Sequence, residues 1–253
     1  ESELPTKVVA TYVIDEETYV SETTVSLTLP NIVLNTNQLT IHDSIQDAID
    51  ASNEDDTIKV GAGTYKEQLS INKPLTLLGP NADVMGTGIR TKEAILTFPD
   101  DLDDSFLRLV SVASDNVRIS GFLIDDADYD IQVDDQTGTA GIEAHGNNVT
   151  VSNNIISGFS RIQVLVTSVD YIEEAGKWNY LNFRTGTQVV GNKSTGALGY
   201  TAIYLQGAAG IVKNNTIENA PNATGIQIQP YGHREGGSVH ENNISDTKVA
   251  IWY

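Results

Sequence analysis

The 253-residue chain contains no cysteine and a single methionine, which excludes disulfides, Cys-ligated zinc and thiol catalysis together. Its fold must stand on packing and hydrogen-bonded ladders. Basic residues are scarce, 15 Lys and Arg against 34 Asp and Glu, for a formal charge of −19. Such a surface repels phosphate backbones, so nucleic acid is excluded as a partner. No apolar run approaches the roughly eighteen residues of a membrane helix, and no membrane span is expected. Glu1 opens the sequence without a positively charged region followed by an apolar stretch, which fits a mature secreted form or a fragment. The acidity itself fits solubility or salt adaptation, and also the recruitment of divalent cations.

What is present is strand-like. Residues 1–38 read as an N-terminal arm of two or three strands, carried by Val8 to Ile14, Tyr19-Val20 and the alternating Val25, Leu27 and Leu29. A short amphipathic helix follows at about 43–52, with Ile41, Ile45, Ala48 and Ile49 on one stripe and Asp43 and Gln46 at N-cap and N3 spacing. Three short strands succeed it: Thr57 to Val60, Gln68 to Ile71 and Leu75 to Leu78, separated by a glycine turn and by Asn72-Lys73-Pro74. The run from Ser44 to Gly79, SIQDAIDASNEDDTIKVGAGTYKEQLSINKPLTLLG, resembles the N-terminal cap and first rung of the pectin-lyase-like β-helix superfamily. That superfamily includes pectin methylesterases, periplasmic copper-maturation β-helix proteins and many bacterial and archaeal surface proteins. The resemblance implies an all-β fold: a right-handed single-stranded parallel β-helix over residues 39–253, closed by the short capping helix.

The remainder repeats accordingly. Asn116 to Ile124 is echoed by Asn148 to Ile156, Gln188 to Asn192, Gly210 to Ile217 and Ser238 to Ile244. With Asn154, Asn192, Asn215 and Asn242 as equivalents, the separations are 38, 23 and 27 residues, close to solenoid rung lengths except for the first. The excess marks a side loop at about 169–185. Asparagine at the turn satisfies local backbone groups and can bond the same amide one rung away, so these four are read as a structural ladder.

Chemistry is harder to find. The sets that the resemblance leads one to seek, for polygalacturonases, esterases, pectate lyases and epimerases, are matched only by Asp125-Asp126 and a faint echo at Tyr231-Gly232-His233-Arg234. Asp125, Asp126, Asp128 and Asp130, continued by Asp134 and Asp135, supply the closely spaced oxygens that a calcium ion takes; no cofactor is otherwise required. The four histidines, His42, His145, His233 and His240, lack metal-ligand spacing, and no phosphate-binding or nucleophile-elbow motif occurs. Five N-glycosylation patterns begin at Asn148, Asn192, Asn214, Asn222 and Asn243.

These features lead to a secreted or cell-surface protein, and first to a noncatalytic module of a surface layer, sheath or adhesin. Its partners would be copies of itself or neighbouring surface proteins, met through an open C-terminal rung and the N-terminal arm. The alternative is a carbohydrate-active enzyme, a lyase, hydrolase or epimerase on an acidic polysaccharide, with Asp125, Asp126, His145 and Arg161 as its site.

Overall fold

A computed structural model describes residues 2–14, 17–29, 31–100, 102, 106–126, 138–168, 170–172, 177–179, 183–229 and 237–253. From Asp56 onward, apart from the antiparallel pair Asp170–Ile172 and Lys177–Asn179, the chain is a right-handed single-stranded parallel β-helix whose turns visit three sheets in a fixed order. Sheet 1 stacks Leu69–Ile71, Phe106–Val112, Gly138–Ala144, Ile162–Thr167, Thr201–Gln206, Ala220–Gln229 and Thr247–Trp252. Sheet 2 runs from Asp56–Val60 through Leu75–Leu78, Val117–Ser120, Thr150–Ser152, Arg184–Val190 and Ala208–Lys213 to Ser238–His240. Sheet 3 runs from Gly63–Lys66 to Asn243–Ile244.

Register converts the sequence repeats into columns. Leu69, Val110, Ile142, Val164, Ile203 and Ile226 lie one above another in sheet 1. Ile58, Leu77, Ile119, Val151, Val189 and Val212 do the same in sheet 2. Nearly all of these side chains are 0–1% exposed, so each rung removes a fresh apolar layer from water. The hydrophobic repeat thus closes into one continuous core.

The helix, Ile45–Ala51, covers the first rung with Ile45, Ala48 and Ile49 buried. Its N-cap is Ser44, not Asp43: the Ser44 hydroxyl accepts from Asp47 N at 3.0 Å. The next free donors, Ile45 N and Gln46 N, are taken by the Glu67 carboxylate at 3.1 and 3.0 Å, and Gln46 turns outward to accept from Ser70 N. Ile41 falls outside the helical stripe, in the Thr40–His42 strand, and is 62% exposed. Before the helix, Ser2–Ile14 pairs antiparallel with Glu17–Leu29 in a sheet of their own. Val33–Asn35, placed in the arm by the sequence, pairs instead with Thr40–His42 and Asp56–Val60 and so belongs to sheet 2.

Candidate active site

At the corner between sheets 2 and 3 the Asn154, Asn192, Asn215 and Asn242 amides form an unbroken chain. Asn154 Nδ2 donates to Asn192 Oδ1 at 3.2 Å, Asn192 Nδ2 to Asn215 Oδ1 at 3.0 Å, and Asn215 Nδ2 to Asn242 Oδ1 at 3.0 Å. Each Oδ1 also accepts the backbone N–H of the preceding member, at 2.9–3.0 Å. Asn192 therefore cannot carry a glycan: its side chain is buried, and its Nδ2 is committed to Val151 O and Asn215 Oδ1. Asn148, Asn214, Asn222 and Asn243 are exposed.

Sheet 1 departs from this regularity. Ile162, Leu165 and Tyr204 form a small cluster separate from the main core, which marks a second, outer face that is also buried. On the inner side Gly141 lets the strands meet, since a Cβ on it would stand 2.6 Å from the Gln163 carbonyl oxygen and against the core side chains of Phe159 and Ile156. Two residues on, between Ser111 and Leu165 in register, Glu143 is only 4% exposed. Its Oε2 accepts from Arg108 Nε at 2.5 Å and its Oε1 bonds His145 Nε2 at 2.8 Å. Arg108 is placed by the neighbouring strand, and its carbonyl accepts from Gln68 Nε2 at 3.0 Å. Burial pushes the Glu143 carboxyl up, but the His145 hydrogen bond and the Arg108 charge outweigh it and hold the group below the usual glutamate value, ionised at neutral pH. The side chains of Arg108 and His145 are 40% and 28% exposed, so a cation and an imidazole reach the surface above a fixed anion.

A second carboxyl behaves oppositely. Asp126 leaves sheet 3 and is nearly buried; its Oδ2 accepts from the Thr139 hydroxyl. Thr139 is locked to Ser160 by reciprocal bonds, Thr139 N to Ser160 Oγ at 2.8 Å and Ser160 N to Thr139 Oγ1 at 2.9 Å. Asp126 Oδ1 and Asp125 Oδ1 are buried with no partner. Burial pushes the Asp126 carboxyl up to about 7, with the Thr139 hydrogen bond opposing and the Asp125 charge adding to the rise. Arg161 lies at this same end, its side chain beside Gly138.

The four residues grouped by the sequence are thus divided. Asp126 meets the Gly138–Ala144 strand near its start, whereas His145 follows its end, six extended residues or about 20 Å further along. Glu143 and Arg108 were missed. A strand reading Ile-Glu-Ala-His carries Glu143 and His145 on one face, a visible period-two signal, but Arg108 is 35 residues away and only register brings it there. Asp128 and Asp130, on which the calcium expectation turns, lie outside the described residues, as do Asp134 and Asp135. Among the described residues no three His, Asp or Glu groups gather to hold a metal ion.

No family model matches the sequence, and no curated protein matches it. Solved structures do. The chain is similar to pectin methylesterase from Yersinia enterocolitica at 14% identity and a TM-score of 0.48, over 74% of this chain and 60% of that one, so it spans about three-fifths of that enzyme. It is similar to pectin methylesterase from Aspergillus niger at 16% and 0.45, over 81% and 82% of the two chains. A pectin methylesterase in complex with a hexasaccharide matches at 11% and 0.47, over 86% and 78%. These likenesses are of fold. The proteins that the chain resembles in fold are pectin methylesterases, not surface-layer, sheath or adhesin material, so the first expectation is corrected and the carbohydrate-active alternative stands as a proposal.

Proposed function

We propose that the chain is a carbohydrate-active enzyme that works outside the cell on an acidic polysaccharide, with its site on the outer face of sheet 1 around Glu143. What carries the reading is the buried, ionised Glu143 clasped between Arg108 and His145. A carboxylate bonded to one imidazole nitrogen fixes the ring and its tautomer, leaving the other nitrogen as the proton acceptor. His145 is the base in this reading and Glu143 its positioning residue. Arg108 sets a positive charge beside it, suited to a uronate carboxylate. That arrangement fits removal of the proton on the sugar carbon next to the carboxylate, the step common to polysaccharide lyases and epimerases. Hydrolysis by paired carboxyls fits less well. Asp126 and Glu143 are separated by four extended residues, about 13 Å of strand, beyond the roughly 5–9.5 Å at which two carboxyls flank one glycosidic bond.

The test is a panel of acidic polysaccharides, methyl-esterified and free, assayed for unsaturated products, epimerised units, reducing ends and released methanol. Turnover with unsaturated or epimerised product, abolished by His145→Ala, is the expected outcome. Turnover that survives His145→Ala and Glu143→Gln unchanged, or none on any polymer, would remove the assignment.

A further inference from the structure

Strand register places Ser70, Ser111, Glu143, Leu165, Tyr204 and Gln227 in one column on the outer face of sheet 1. Burial along that column changes abruptly at Glu143. On the side of the capping helix Ser70 is exposed and Ser111 half-buried, whereas on the other side Leu165, Tyr204 and Gln227 are 7%, 3% and 1% exposed. The neighbouring column repeats the step. Ala113 is exposed, His145 half-buried and Thr167 buried, in an order fixed by His145 N donating to Val112 O at 2.8 Å and by the pairing of Ala144 with Val166. The group of Glu143, His145 and Arg108 therefore stands at the edge of a shelf that is open toward the cap and closed in the opposite direction.

The shelf is low, polar and held in place. Ser70, Ser111 and Ala113 are its side chains, all short, so a ligand can lie close along the sheet. The Ser70 and Ser111 hydroxyls take no partner among the described residues. Gln46 of the capping helix fixes the Ser70 backbone from one end, accepting from Ser70 N at 2.8 Å and donating to its carbonyl at 3.3 Å. Gly146 fixes the turn after His145, because a Cβ there would collide with the Ser114 carbonyl oxygen, and Asp115 Oδ1 accepts from Asn147 N at 2.7 Å. Two rungs separate Ser70 from Glu143, about 10 Å at the spacing of paired strands, which is longer than one sugar ring. Fixed hydroxyls with capacity to donate and accept suit the ring hydroxyls of a saccharide, and Arg108 gives the same face a cation for its carboxylates.

We infer that an acidic polysaccharide lies over Ser111 and Ser70, running from His145 toward the capping helix, and that these rungs hold the sugar units flanking the reacting one on that side. The inference rests on the reading of sheet 1 as a polysaccharide site and gives that site a direction.

The experiment puts opposite charges on the shelf and reads calorimetric binding of hexagalacturonate to the full chain. Ser70→Glu should weaken binding about threefold and Ser70→Lys should tighten it about threefold, the effect of one exposed charge a few ångströms from a uronate. Asn243→Glu and Asn243→Lys, exposed at the far end of sheet 3, change the net charge equally and should leave binding as in the wild type. Unfolding midpoints accompany each variant, and because the two Ser70 variants are read separately, either carries the test should the other fail to fold. No wild-type binding, binding indifferent to both charges at Ser70, or equal shifts from the Asn243 pair overturns the inference. The two readings fail separately. His145-dependent turnover with binding indifferent to Ser70 removes only the direction, whereas opposite shifts at Ser70 without turnover on any polymer remove only the enzyme.

Discussion

Two parts of the same rungs are built on opposite terms. At the corner between sheets 2 and 3, the ladder amides of successive rungs are joined by hydrogen bonds, amide to amide and amide to backbone. Along the Gly138–Ala144 strand of sheet 1, a buried anion, Glu143, and a buried carboxyl whose hold on its proton is raised, Asp126, stand a few residues apart. Repetition satisfies itself, because an identical residue one rung away offers the complementary donor or acceptor. Departure from repetition leaves polar groups that the fold does not need, and these are the groups with chemistry to offer.

The comparison breaks most visibly if His145 is removed. Its loss should lower kcat by about a thousandfold, some 4 kcal/mol of barrier, against a stability cost of only about 1–3 kcal/mol from the hydrogen bond that buried Glu143 gives up. Initial rates and a urea titration on the same preparation test both halves. The ladder should answer in the reverse sense. Asn192→Ala leaves buried Asn154 N without its acceptor, takes one of the two acceptors of Asn154 Nδ2 and removes the amide that donates to the Val151 carbonyl, which should cost about 3 kcal/mol in urea unfolding with little effect on kcat. A ladder variant that unfolds like the wild type would show that the amides decorate the turn without supporting it.

The residues that were legible in sequence are those on the repetitive side. Asn154, Asn192, Asn215 and Asn242 recur beside Val and Ile at rung spacing, so both the columns and the turn can be read from one strand of text. The capping helix was legible in place and polarity, though its cap fell one residue away: the remote Glu67 carboxylate, invisible locally, serves the first turn that a capping box would have served. The site was half legible. His145 and Asp126 stood out by residue type, but grouping them ignored the length of the strand between them. Arg108 meets Glu143 only through parallel register, which no local stretch of sequence displays.

A smaller effect, and a sharper one, comes from pH. The two carboxyls along the Gly138–Ala144 strand should titrate stability in opposite directions. Asp126 is raised from its ordinary value to about 7, so its contribution is complete below the unfolded value near 3.8 and is lost as pH rises to about 7. The slope is at most about 1.4 kcal/mol per pH unit in that window. Glu143 is lowered, so its contribution is present above the unfolded value of 4.5 and is lost as pH falls below it. Urea unfolding at half-unit pH steps should show Asp126→Asn flattening the neutral limb alone. An unaltered slope in that variant would mean that another group titrates there.

The smallest effect separates distance from burial. Lys66 Nζ and Asp100 Oδ1 are 2.6 Å apart, nearly as close as Arg108 and Glu143 at 2.5 Å, but the exposed pair is 54% and 76% accessible whereas Glu143 is 5%. Water and salt screen the first, and holding two long side chains in one geometry offsets much of its Coulomb gain. Lys66→Ala should therefore change stability by less than about 0.5 kcal/mol, and the difference should vanish in about 1 M salt. Arg108→Ala, by contrast, leaves a buried carboxylate with half its compensation and should cost several-fold more, in a manner that salt does not erase. If the two variants proved equally mild in urea unfolding with and without salt, burial would not distinguish the outer face of sheet 1 from ordinary surface, and its claim to be a built site would go with it.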